Sequence, residues 1–264
     1  MPSLVQPAIL LVSGGCHVPA HFGPLQGVLE AYGYEVINPR LATNSLYPLD
    51  GNAFEHDKAM LTGIVEALAS QGKEIIVLMH SFGGFLATDA MAGLGVRDRA
   101  AAGLRGGVKW MAYMCALVPI KGETVVDILQ IAGSAAGIKP AEIYSTEISS
   151  YPRDPAQSFY QDLPPKAQEH WASLITGSVF ESFSQKTVNE AWRNIDVSYM
   201  HTLQDQALPP ETQKAMVERI KGMGIPVKEI FVDCSHSPFL SRTQDVLKWI
   251  NELAGLSKWN KALL

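Results

Sequence analysis

Short apolar runs alternate with amphipathic stretches along this chain. Ala8–Val12 (AILLV) is branched and unbroken by polar residues, the pattern of a strand buried on both faces. A turn, Ser13-Gly14-Gly15-Cys16-His17, leads through Pro19 to Phe22, Leu25, Val28 and Leu29, which recur at helical spacing until Gly33. A second strand is predicted over 35–38, then a polar loop through Pro48 and a helix over about 54–70. In 73–94, Ile75, Ile76, Val77 and Leu78 read as a buried strand, and Phe85, Leu86, Ala90 and Leu94 as the helix after it. Residues 107–115 (GVKWMAYMC) supply another strand, closing at Ala116-Leu117-Val118-Pro119.

From 120 to 195 no strongly apolar strand is visible. Helical pieces are separated by Pro140, Pro152, Pro155 and Pro164-Pro165, and the large aromatics Tyr144, Tyr151, Phe159, Tyr160, Trp171, Phe180, Phe183 and Trp192 gather there. Regular alternation then resumes, with strands over 197–203 and 226–232, a helix to about 221, and a last helix carrying Val246, Leu247, Ile250 and Leu253. Strand–helix alternation with short joints predicts an α/β fold: a mostly parallel sheet with helices on both faces. The expected organisation is a core over 1–119 and 196–264 with a helical cap over 120–195. Most of the cap aromatics are expected to pack, and some to line a pocket.

Composition narrows the function. A 47% hydrophobic content fills a large core without approaching membrane composition, and the net charge of −5 has no basic run set against it, which disfavours nucleic acid. Three scattered cysteines, Cys16, Cys115 and Cys234, argue against a disulfide framework and for a reducing compartment. The run at 8–12 is too short for a signal segment, and no stretch reaches the roughly 18 apolar residues of a membrane span. The expectation is a cytoplasmic protein acting on a small molecule, with neither nucleic acid nor membrane as partner. Homodimerisation is left open. No H-E-x-x-H or paired Cys/His spacing supports a metal site, and no cofactor is expected.

The chemistry centres on His80-Ser81-Phe82-Gly83-Gly84, between a buried strand and a helix. A serine on such a corner presents its hydroxyl at the carboxyl edge of the sheet, with the next N–H at a helix N-terminus. The plainer alternative is a serine that only caps the helix. A serine hydroxyl needs a base, and the base needs an acid to fix its tautomer. His236 alone among seven histidines follows the last predicted strand and precedes the last helix. Asp205 follows the penultimate strand, with Glu123 or Asp127 as the fallback acid. Asp233 is too close to His236 in sequence, and Asp196 stands at the wrong end of its strand. Two N–H donors for a developing oxyanion are expected from Phe82 and from the turn after the first strand, at Gly15, although glycines there also suit a mere tight turn. Gly14, His17, His80 and Trp171 are weaker candidates for substrate contact. Cys16 and Cys234 are read as bystanders.

With these residues in place, the chain resembles the α/β-hydrolase subfamily of plant methylesterases, hydroxynitrile lyases and small microbial esterase-like proteins. The likeness is carried by VSGGCH, Tyr32-Gly33-Tyr34, Asn38-Pro39, MHSFGG, ALVP, LQDQALP and SHSPFL, and is weak in the cap. It implies a triad of Ser81, Asp205 and His236, with oxyanion donors at Gly15 and Phe82. Met79 departs from the first glycine of G-x-S-x-G. The lyases carry Thr where this chain has Gly14, and Lys where it has Ser237, so the resemblance implies the hydrolytic branch: a serine esterase or lactonase forming an acyl-enzyme. Non-hydrolytic use of the triad, such as a retro-aldol or lactonising step, and a non-enzymatic ligand receptor are the alternatives.

Overall fold

The computed structural model of the chain describes residues 6–45, 52–136, 143–145 and 149–256. Strands β1 (Ala8–Val12), β2 (Val36–Ile37), β3 (Glu74–His80) and β4 (Gly107–Met114) precede an insertion. That insertion carries three short strands, β5 (Ile143–Ser145), β6 (Ser149–Pro152) and β7 (Ser178–Val179), before β8 (Asp196–Thr202) and β9 (Val227–Val232) return to the main sheet. The main sheet has the order β2-β1-β3-β4-β8-β9, and every pairing in it is parallel.

Its central strands divide their apolar side chains by the two-residue period of a pleated strand. Ala8, Leu10 and Val12 of β1, with Ile75, Val77 and Met79 of β3, face one core. Ile9 and Leu11, with Ile76 and Leu78, face the other. The first core is closed by α2 (Ala53–Ser70), α3 (Phe82–Ala90) and α8 (Pro210–Gly222), the second by α1 (Gly23–Ala31) and α10 (Thr243–Leu253). The α/β architecture read from the sequence is therefore present. Met79, which departs from the motif, is a fully buried member of the first core.

The insertion departs from a purely helical expectation. Besides α5 (Val125–Ala136), α6 (Pro155–Tyr160) and α7 (Pro165–Ser173) it contains the antiparallel sheet β5-β6-β7. These strands are two to four residues long and serine-rich (IYS, SSYP, SV), so they carry no apolar run to announce them. Two helix starts carry side-chain caps. Asp154 accepts from Gln157 N at 3.0 Å just ahead of Pro155, and Asn52 caps α2 through Phe54 N at 3.0 Å. Pro140, Pro48 and the Tyr144 side chain lie outside what is described.

In this sheet the chain runs outward from β1 to β2 and then back across to β3, so the topology switches between β1 and β3. Open α/β sheets place ligands at the carboxyl ends of the strands flanking such a switch. Here those ends lead into Ser13-Gly14-Gly15 and Ser81. Close approach is enforced from both sides of α3. A Cβ at Gly83 would stand 2.4 Å from Val12 O, and one at Gly84 would stand 2.4 Å from Leu117 O. Gly83→Ala must push α3 off the end of β1. We expect a loss of roughly 2–3 kcal/mol, read in a thermal melt as a fall in Tm of about 5–10 °C. An unchanged melt would mean that the contact is softer than these distances imply.

Candidate active site

Ser81 sits at the junction of β3 and α3 with φ 51° and ψ −123°, a left-handed backbone rare for a residue with a side chain. The corner is held by backbone bonds on both sides: Ser81 N donates to Met114 O at 3.4 Å, and Leu117 N donates to Ser81 O at 3.0 Å. Ser81 does not cap α3 with its side chain, which removes the plainer reading of a helix-capping serine. Its hydroxyl makes no hydrogen bond to a described residue, and it lines a cavity of about 240 Å³. Strain at an otherwise well-packed corner is the way functional side chains are commonly presented.

The acid and base expected from the sequence meet. His236 Nδ1 lies 2.7 Å from Asp205 Oδ2, both side chains being buried. The Asp205 carboxylate also accepts from Thr202 Oγ1 (2.8 Å), Gln213 Nε2 (3.1 Å), Ala207 N (2.9 Å) and Leu208 N (2.8 Å). Five donors thus converge on this one carboxylate and hold it in place. An acceptor at that position fixes the proton of His236 on Nδ1 and leaves the Nε2 lone pair for base chemistry. The fallback acids are engaged elsewhere: Glu123 pairs with Arg219, and Asp127 caps Thr124 N at 2.8 Å.

The His236 main chain is gripped from two directions. Its carbonyl accepts from His80 Nε2 at 2.9 Å and from Cys115 Sγ at 3.3 Å, with the His80 and His236 rings 4.6 Å apart. On the other side the insertion supplies Asp162, whose Oδ2 accepts Ser235 N at 3.0 Å, and Phe159, whose carbonyl accepts Ser235 Oγ at 2.9 Å. The Phe159 ring stacks on His236 at 5.5 Å. Since His80 directly precedes Ser81, these bonds bring the base loop to the serine corner. Ser81 and His236 share no direct hydrogen bond here; such catalytic bonds commonly tighten only when substrate is bound.

Phe82 N, at the start of α3, and Gly15 N, in the loop after β1, have no acceptor among the described residues. Both residues line the cavity with Ser81. The rest of the lining is mostly apolar and mostly from the insertion: Leu117, Val125, Leu129, Tyr151, Phe159, Phe180 and Phe183, with Leu208 from the loop after β8 and the two polar residues Ser150 and Ser184. No charged side chain is among the lining residues.

The weaker candidates lie behind this surface rather than on it. His17 is 1% exposed and bridges Gly15 O (2.7 Å) and Tyr160 Oη (3.0 Å). His80 is fully buried, and a Cβ on Gly14 would stand 2.6 Å from its Nδ1. Trp171 packs its ring 6.0 Å from that of His21. Gly14, His17, His80 and Trp171 are thus not among the residues lining the cavity, because loop packing consumes them. Two contributors escaped the sequence reading. Asn44, wholly buried, and Ser178 of β7 both bond the loop after β1, and no local motif marks either.

One group of potential metal ligands gathers among the described residues: His80, Cys115 and His236, within 4.8 Å. His80 Nε2 and Cys115 Sγ are engaged by the His236 carbonyl and His236 Nδ1 by Asp205, while His80 Nδ1 has no partner among the described residues. Burial pushes the Cys115 thiol well above its ordinary range, so it stays protonated. The Cys16 thiol is likewise raised by burial, to about 11.

A parallel sheet with a serine on a strained strand–helix corner, beside a carboxylate-bound histidine, defines a hydrolase of the α/β type. A model of the alpha/beta hydrolase family matches residues 9–249, and the chain belongs to that family. It is 27% identical over 260 residues to "Probable hydrolase R7" of Phoma sp., covering 96% of this chain and 100% of that one. The fold is also that of polyneuridine aldehyde esterase (TM-score 0.71, 21% identity, 94% of this chain and 99% of that one). It is shared by the methylesterase MES16 from Arabidopsis (TM-score 0.69, 17% identity, 94% and 99%). These neighbours match the methylesterase-like subfamily that the motifs resemble. No helix among the described residues is long and apolar enough to cross a membrane.

The buried histidines make folding sensitive to acid. His17 is held neutral well below its usual pKa by burial and by the neighbouring His21, and His80 by burial and by His236. Burial also lowers His21 and His201. An unfolded histidine takes up its proton near pH 6.5, so below that pH the unfolded chain binds more protons than the folded one. Stability then rises with pH and falls as pH drops, by about 1.4 kcal/mol per unit for each histidine kept neutral. Urea midpoints are expected to fall steeply from pH 7 to 5, and less steeply in His80→Gln. Midpoints flat over that interval would refute the assignment of neutral buried rings.

Proposed function

We propose that the chain is a serine hydrolase cleaving an uncharged, small to medium-sized, largely apolar carboxylic ester or lactone through an acyl-enzyme on Ser81. The observation that carries this reading is the Asp205–His236 pair placed beside the serine corner, at a cavity lined by Gly15 and Phe82, whose N–H groups have no acceptor among the described residues. His236 Nε2 takes the proton as Ser81 Oγ attacks the carbonyl carbon. The Gly15 and Phe82 N–H groups receive the charge that builds on the carbonyl oxygen, and preorganised donors act at the point of greatest need. Imidazolium then protonates the departing alcohol, and water activated by the same imidazole releases the acid.

The lining supports an uncharged substrate. A carboxylate taken into this cavity would lose its hydration and find no cationic partner, a cost of several kcal/mol. Aromatic rings from Tyr151, Phe159, Phe180 and Phe183 favour flat or aromatic groups over polar ones. The lyase branch of the subfamily is disfavoured sterically as well as by sequence. A side chain at Gly14 would collide with His80 and Ser81, and Ser237 is wholly buried with its hydroxyl unpartnered, leaving no open space for a lysine. The names of the similar proteins, a hydrolase and two esterases, agree with ester chemistry.

Ser81→Ala should lower turnover of p-nitrophenyl acetate by about 10³-fold or more while the protein stays folded. Turnover unaffected by that change would reject Ser81 as nucleophile. Within the wild type, p-nitrophenyl butyrate should be cleaved with a kcat/KM at least about tenfold above that of the hemisuccinate ester, since burying an unpaired charge costs more than 1.4 kcal/mol. Equal values would contradict the uncharged-substrate assignment.

A further inference from the structure

The loop after β1 carries its oxyanion donor on a peptide held from behind. Gly14 O accepts from Asn44 Nδ2 at 2.8 Å and from His17 N at 3.4 Å. A peptide unit is planar and trans, so its N–H points opposite to its C=O. With Gly14 O turned toward Asn44, Gly15 N–H is turned away from Asn44, and Gly15 is a lining residue of the cavity. The next peptide is held at both ends. Gly15 O receives His17 Nδ1 at 2.7 Å, and Cys16 N donates to Ser178 Oγ at 2.7 Å and to Asn44 Oδ1 at 3.0 Å.

Ser178 closes this ring of bonds. Its hydroxyl accepts from Cys16 N, donates to Asn44 Oδ1 at 3.2 Å and lies 3.4 Å from Cys16 Sγ. Cys16 has φ 66°, a left-handed conformation that is unfavourable for a side-chain-bearing residue and persists only when its surroundings impose it. Ser178 comes from β7, far along the sequence, and is anchored there independently. Its strand pairs with β6, Val179 N donates to Thr43 O at 2.8 Å, and Thr176 N donates to Cys16 O at 2.9 Å. Ser178 is 2% exposed and is not among the lining residues, so it does not reach substrate.

We propose that Ser178, with Asn44, is a positioning residue that aims the Gly15 N–H at the developing oxyanion, so that the inserted segment supplies part of the catalytic preorganisation. This rests on the serine-hydrolase reading given above. Removing the hydroxyl leaves Cys16 N with one acceptor and frees Asn44 Oδ1 from one donor, and the strained 15–16 peptide loses its main restraint. Transition-state stabilisation suffers while ground-state binding does not.

The test compares wild type with Ser178→Ala on p-nitrophenyl acetate. Each is also titrated with a trifluoromethyl ketone, which forms an anionic tetrahedral adduct on the nucleophile, and with the matching methyl ketone as a ground-state mimic. Expected are a kcat about 10- to 100-fold lower, a KM within about twofold, trifluoromethyl ketone affinity weakened by the same factor as kcat, and methyl ketone affinity unchanged. Equal weakening of both ketones, a rise in KM alone, or an unaltered kcat would each overturn the proposal. If Ser178→Ala fails to fold, Asn44→Asp, which is of equal size but lacks the donors to Gly14 O, carries the same comparison. A wild type that turns over no ester would remove the underlying reading, and that failure is visible before any variant is made.

Discussion

The structure depends on how closely α3 is allowed to approach β1. Gly83 and Gly84 put backbone where other helices put side chains, and the resulting contacts with Val12 O and Leu117 O leave no room for a methyl group. That approach sets Ser81 directly beside Gly14 and lets the N-terminus of α3 share a space with the loop after β1. Without it, the serine and the second N–H donor would belong to different surfaces. The topological switch between β1 and β3 names the place, and the two glycines make the distance short enough for chemistry.

Much of the polar network around the cavity is arranged one layer behind it. Asn44, His17, His80, Asp162 and Ser178 use their hydrogen bonds on loop backbone, and the surface left for a ligand is nearly all hydrocarbon and aromatic ring. This division has a physical reason. Loops at a sheet edge carry backbone groups that must be satisfied once an insertion buries them. Side chains that satisfy them also fix their direction. Low polarity at the cavity then strengthens the few dipoles that do face it. His17 shows why a neutral histidine suits this layer: a ring bonded at both nitrogens, to Gly15 O and Tyr160 Oη, joins two segments without burying a charge.

Legibility in the sequence followed the range of the interaction. Strands β1 and β3 announced themselves because both of their faces are buried, so each carries an unbroken apolar run, while β4 and β8 were read through largely buried stretches that include Lys109 and Ser198. Ser81 was legible because a corner serine and its glycines are contiguous. Asp205 and His236 were legible because sheet topology fixes which strand end each acid and base must follow, and the two indeed bond. The small sheet of the insertion was not, since two to four serine-rich residues per strand carry no periodicity. Asn44 and Ser178 were not legible either. Each acts through tertiary bonds across 28 to 162 positions, and a lone Asn in a polar loop or a lone Ser between helices looks like solvent-facing punctuation. The weaker candidates His17, His80 and Trp171 show the converse. Nearness to a motif placed them at the site, but packing turned them toward loops and away from the cavity.

The insertion is bonded to all three loops on which the proposed reaction depends. Gln157 and Gln161 donate to Gln206 and Gln204 on either side of Asp205, Asp162 and Phe159 hold Ser235 beside His236, and Thr176 and Ser178 hold Cys16 beside Gly15. A lid that swung away as a unit would break these bonds together and loosen acid, base and oxyanion donor at once. Access to the cavity is therefore better sought where its lining side chains are themselves exposed. Val126 on α5 and Phe180 after β7 are each close to half exposed, and both border the cavity. Neither side chain belongs to the hydrogen-bonded part of the insertion that holds these loops. On this view substrate selection and catalytic alignment are assigned to different parts of one inserted segment, and the first can vary without disturbing the second.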